Sequence, residues 1–137
     1  MLLFAAVLCA ALSTHDVARA QDPRATLVQK VARDWLALTD RGDASASWNA
    51  AGKQFQNAIA LDRWAEAFKT VRPPLGAVLD RIALSTEFPK SIPGAPDGDY
   101  AVLMFRTNFG NKTDGRERVA LQRESDVSWR VIGYVIL

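Results

Sequence analysis

The hydrophobic period of this chain changes once, at Gly76, and that change limits the folds open to it. Before Gly76 apolar residues recur three and four apart, and after it they alternate. Leu27, Val28, Val31, Trp35 and Leu38 share one face of a helix. That helix opens at Asp22-Pro23, an N-cap followed by a first-turn proline, and stops at Asp40-Arg41-Gly42-Asp43. A second helix begins between Asp43 and Ser47 and carries Trp48, Ala51 and Phe55 as its stripe. A third starts near Asp62, aligns Trp64, Phe68 and Val71, and ends at Pro73-Pro74. Beyond Gly76, a strand over 78–88 places Val78, Ile82, Leu84 and Phe88 on one side. A Pro/Gly/Asp-rich loop over 89–99 comes next, then strands over 100–109, 116–124 and 129–136. Short turns around 111–115 and 125–128 make successive strands antiparallel neighbours. Helices first and strands afterwards predicts an α+β fold, with three N-terminal helices packed on one face of a curved four-stranded antiparallel sheet.

The N-terminus reads as an export signal. Leu2–Leu12 is an apolar run of h-region length, shorter than the roughly 20 residues that cross a bilayer. Ala18-Arg19-Ala20 is a small-x-small site, which places cleavage before Gln21. The expectation is therefore a signal peptide over 1–20 and a single domain over 21–137, periplasmic or secreted, with no membrane span after cleavage. Removing the signal removes His15 and Cys9, the chain's one His and one Cys. Cys/His nucleophiles, Ser-His-Asp triads, thiolate-imidazole metal sites and disulfides go with them. No metal and no cofactor are expected. The net charge of +2 is too mild to argue for a nucleic-acid partner.

Few residues stand out as carriers of chemistry. Strand alternation puts Asp80 beside Val78, Ile82 and Leu84, where desolvation would raise its pKa and fit it to act as a general base. The alternatives are an exposed strand start or an ion pair with Arg72 or Arg81. Those two arginines are candidates for clamping an anionic ligand, or for anchoring the turn between the third helix and the first strand. Trp35, Trp48 and Trp64 are candidate pocket walls, although helical stripes also place them in a core. Trp129 lies on a strand. Tyr100 and Tyr134 are candidate hydrogen-bond donors to a ligand. Arg106, Arg116, Arg118, Arg123 and Arg130 lie on strands without forming one guaranteed stripe. Asp97-Gly98-Asp99 lacks the further ligands of a calcium loop and reads as a tight turn. Asn111-Lys112-Thr113 matches a glycosylation sequon and fits a surface turn.

Trp35-Leu36, Asp40-Arg41-Gly42-Asp43, Ser47-Trp48 and Trp64 resemble a bacterial exported family known as domain of unknown function 4019. So do Arg72-Pro73-Pro74-Leu75-Gly76 with Arg81, Pro96-Asp97-Gly98-Asp99-Tyr100, and Trp129-Arg130-Val131-Ile132-Gly133-Tyr134. The resemblance covers nearly all of residues 21–137 and carries no activity. The element order is also similar to the nuclear transport factor 2-like cone, shared by ketosteroid isomerase, scytalone dehydratase and many pure binding domains. Enzymes of that superfamily commonly use Asp/His pairs, so no catalytic residue carries over. The reading is a non-catalytic module that binds a small ligand or an envelope protein. The alternatives are an acid/base lyase or isomerase acting on a small apolar substrate, with Asp80 as base and Tyr100 or Tyr134 as donor, and a module that forms a homodimer through its sheet.

Overall fold

Residues 22–137 are described by the computed structural model, so the signal peptide and cleavage site expected over 1–20 lie outside the described residues. Helix α1 (Pro23–Asp40) begins as its sequence dictates, with the Asp22 carboxylate accepting from the Arg24 N–H at 2.9 Å. Its buried face is Ala25, Val28, Ala32, Trp35, Leu36 and Thr39, spaced three, four, three, one and three apart. The stripe is rotated from the expected one. Leu27 is 51 % exposed, and the small residues Ala25 and Ala32 take the inner positions, where α1 lies close on the sheet.

The expected second helix is two helices, α2 (Ala44–Ala50) and α3 (Lys53–Ala58). The break comes at Gly52, whose N–H donates to the Val131 carbonyl at 2.7 Å. A Cβ on Gly52 would lie 3.1 Å from Ile132 Cγ2 and 3.2 Å from Arg130 Cβ. This close approach to a strand uses a backbone that a continuous helix would not offer. Helix α4 (Leu61–Val71) runs into one 3-10 turn (Pro73–Leu75), as the proline pair requires. Of its expected stripe Phe68 is buried, Trp64 half-buried and Val71 51 % exposed.

Strands β1 (Val78–Glu87), β2 (Tyr100–Phe109), β3 (Lys112–Arg123) and β4 (Trp129–Ile136) form one antiparallel sheet in the order β1-β2-β3-β4. Helix α1 packs against all four. Between them lies the core, in which Val28, Ala32, Trp35 and Leu36 meet Leu103 and Phe105 of β2, Val119 and Leu121 of β3 and Val131 of β4.

Two expectations fail in the sheet. On β1, Ile82 and Leu84 face outward at 42 % and 46 % exposure, while Arg81, Ala83 and Thr86 are the more buried positions. Register shifts after Val78 and after Ala83 reset the alternation on this edge strand. The Arg81 side chain finds its partners Thr107, Glu117 and Asp40 on the inner side. Strand β3 starts at Lys112 rather than Arg116. The turn is Gly110-Asn111, and the residues expected to form a longer turn extend the hairpin through a bulge. There Asp114 takes a φ of 57° and donates its N–H to Asn108 Oδ1 at 2.7 Å.

Candidate ligand cleft between helix α4 and strand β4

Four elements, α1, α4, β1 and β3, bring charged groups together. Asp40 is the last residue of α1, Arg72 follows the end of α4, and Arg81 points inward from β1. Arg81 Nη1 and Nη2 donate to the two Asp40 oxygens at 2.8 and 3.0 Å. Its Nε donates to Glu117 Oε1 at 2.8 Å. Arg72 Nη2 donates to Asp40 Oδ1 at 3.2 Å and Nη1 to the Gly76 carbonyl at 2.7 Å. Glu117, on β3, has no exposed surface and also accepts from the hydroxyls of Thr107 and Tyr134. Two guanidinium groups thus face two carboxylates, and the cluster balances its own charge.

The electrostatics follow from that enclosure. Burial opposes the charge of Arg81, but hydrogen bonds and attraction from Asp40 and Glu117 outweigh it and hold its pKa above the ordinary value. Burial, then the neighbouring Glu117 charge, pushes the Tyr134 phenol well above its usual range, so its proton stays on the bond to Glu117. Arg72 Nε has no hydrogen-bond partner, and the Phe109 ring lies 4.7 Å from the guanidinium carbon, a cation–π contact.

Directly beside this cluster is a cleft of about 260 Å³. Trp64, Phe68 and Val71 of α4 form one wall and Tyr134, Val135 and Ile136 of β4 the other. Ala67 leaves room at the mouth, and Arg72 closes the inner end. The aromatic wall is fixed from behind. The Trp64 ring lies 5.8 Å from Phe68 and 5.0 Å from Phe55, and Trp64 Nε1 donates to Ser47 Oγ at 2.9 Å. Tyr134 is wedged edge-on against Trp35 at 5.3 Å. The cleft therefore has an apolar surface with Trp64 and Tyr134 packed from behind.

Of the residues singled out from sequence, Arg72, Trp64 and Tyr134 meet at this cleft. Arg81 lies behind it in the ion cluster. Trp35 is 3 % exposed in the core, where its Nε1 donates to the Ser47 carbonyl at 2.8 Å. Trp48 packs at the core's edge and donates to the Ile59 carbonyl at 2.8 Å. Tyr100 is sealed beneath the 89–99 loop, with its hydroxyl on the Pro96 carbonyl. Asp80 is exposed and accepts from Asn108 Nδ2 at 3.0 and 3.1 Å. It pairs with neither Arg72 nor Arg81 and takes no part in lining the cleft. Arg106 stands directly opposite Arg116 on the outer sheet face. Among the described residues no group of three or more His, Cys, Asp or Glu comes together as a metal site, and no helix is long and apolar enough to cross a membrane.

Sequence reasoning missed Asp40, Thr107 and Glu117. Glu117 was within reach, because it alternates with Val119 and Leu121 on the apolar side of β3.

The family model described as "Protein of unknown function (DUF4019)" matches residues 31–134. The chain belongs to this family. The match runs from the middle of α1 to Tyr134, so it takes in the ion cluster and most of the cleft. No curated protein and no solved structure matches the chain.

Proposed function

We propose that this member of the family is an exported, non-catalytic binding module on a nuclear transport factor 2-like cone, and that the α4/β4 cleft holds its ligand. The observation that carries the reading is the cleft itself. It is a preformed cavity of about 260 Å³ between apolar walls, set beside a core whose apolar side chains are closed by packing. Fold likeness and export rest on the element order and on the Leu2–Leu12 and Ala18-Arg19-Ala20 patterns.

Two observations weigh against the acid/base reading. A general base must reach the proton it takes. Glu117 is wholly buried and engaged by Arg81, Thr107 and Tyr134, and Asp80 is held by Asn108 on the surface. Pairing through the outer sheet face would have to desolvate the opposed Arg106 and Arg116, which weighs against it.

The test is a small-molecule screen on residues 21–137, read by thermal stabilisation and Trp fluorescence. Ligands that protect the domain and compete with one another at one site are expected. A screen of several hundred ring-sized compounds with no stabilising hit would remove the cleft as a binding site. N-terminal sequencing of the envelope fraction checks export, with Gln21 expected as the first residue.

A further inference from the structure

With the cleft taken as the binding site, the chemistry of its walls narrows the ligand class. Among the described residues, the polar side chains lining the cavity are Arg72, Tyr134 and the Trp64 indole, whose N–H is already spent on Ser47. Tyr134 gives its hydroxyl proton to Glu117. Arg72 is 6 % exposed and directs its terminal nitrogens to Asp40 and to the Gly76 carbonyl. Its Nε is sealed from solvent. A bound carboxylate would lose its hydration without gaining an unpaired cation, a cost that the site does not offset. A cation would likewise lose its hydration without gaining a free carboxylate, since Asp40 and Glu117 are already engaged by Arg72 and Arg81.

Volume sets the size. An apolar cavity of about 150 Å³ accommodates benzene. A cleft of about 260 Å³ accordingly fits a two-ring body. The three aromatic side chains among the lining residues, Trp64, Phe68 and Tyr134, suit a flat aromatic or compact alicyclic system. We propose that the α4/β4 cleft selects an uncharged, two-ring hydrophobic ligand and discriminates against its anionic and cationic analogues.

The experiment uses three matched probes on residues 21–137: naphthalene, 2-naphthoate and 2-naphthyltrimethylammonium. Binding is followed by Trp fluorescence and calorimetry at constant ionic strength. Two variants fill the cleft from opposite walls, Ala67→Phe on α4 and Ile136→Trp on β4, where Ile136 shares the inner sheet face with Glu117 and Tyr134. Ala67 is exposed and Ile136 half-buried, and an unchanged thermal midpoint confirms folding. Naphthalene is expected to bind at least tenfold more tightly than either charged analogue, and each folded variant should lose that binding. A charged analogue that matches naphthalene, at a site the variants close, would overturn the ligand class while leaving the cleft as the site. Naphthalene binding unchanged in both variants, or no binding by any probe, would overturn the site and the ligand class together.

Discussion

Helices α1 and α4 both carry an apolar stripe, yet only one of them has it covered. Six residues of α1 are buried and the helix touches every strand, leaving its stripe sealed against the sheet. In α4 only Phe68 is buried, and the helix packs chiefly on α2 and the 3-10 turn. Its stripe looks across a gap at β4 instead of resting on it. The difference is one of side-chain size and docking. Ala25 and Ala32 let α1 settle onto the sheet, whereas the end of α4 is tied through Arg72 to Asp40 and to the Gly76 carbonyl. Two similar hydrophobic patterns thus give a core element and a cleft wall.

The largest test of this contrast is Trp35→Ala. Truncating a buried aromatic that also holds the Ser47 carbonyl should cost about 3–5 kcal/mol in denaturant titration. Glu117→Gln comes next, at about 3 kcal/mol, because Arg81 would keep a buried charge with one partner fewer. A loss near zero would mean that the buried Arg81–Glu117 pair does not hold the cluster together. Trp64→Ala should cost only about 1–2 kcal/mol, since that ring is half-buried and borders open space. Equal losses for Trp35→Ala and Trp64→Ala would erase the distinction between the two helices.

Tyr134→Phe should cost about 1 kcal/mol at neutral pH and change the alkaline limb. Burial and Glu117 raise the folded-state pKa of Tyr134 above the unfolded value of about 10. Its stabilising contribution is whole below that value and is lost as pH rises past it, where the unfolded chain releases the proton first. Between about pH 10 and 12 the parent should therefore lose stability faster than the variant, as measured by urea titration. Asp80→Asn should change stability by no more than about 0.5 kcal/mol, because Asp80 contacts only Asn108 at the surface. A larger shift would give Asp80 a partner that its exposed position does not provide.

The architecture is more legible in the sequence than the cleft. Strands β2 and β4 can be read to the residue, because their alternation is bounded by turn-forming residues on both sides. A three-helix reading misses the break at Gly52, whose cause lies 79 residues away at Val131. On β1 the apolar residues predict an inward face, but an edge strand with two register shifts does not keep one face. Glu117 is visible in principle, because its neighbours at two-residue spacing are apolar. Its fellow carboxylate Asp40 looks like part of a helix stop, and local pattern does not reveal that β1 returns to that spot. The pairing of Trp64 with Tyr134 across a cleft is tertiary in origin. Periodicity marks a stripe but not what covers it.

The ion cluster also has a consequence for the order of folding events. Each strand of the sheet pairs with its neighbour in sequence, so the sheet can assemble hairpin by hairpin at low loop-closure cost. The cluster is different. Its bonds join residues 32, 36 and 41 positions apart and need α1, α4, β1 and β3 all in place. Such contacts are expected to form after the main barrier and to act as a latch, slowing escape from the native state without hastening arrival. Glu117→Gln should accordingly speed unfolding while leaving the refolding limb nearly unchanged. The charges beneath the cleft then set how long the domain persists once folded.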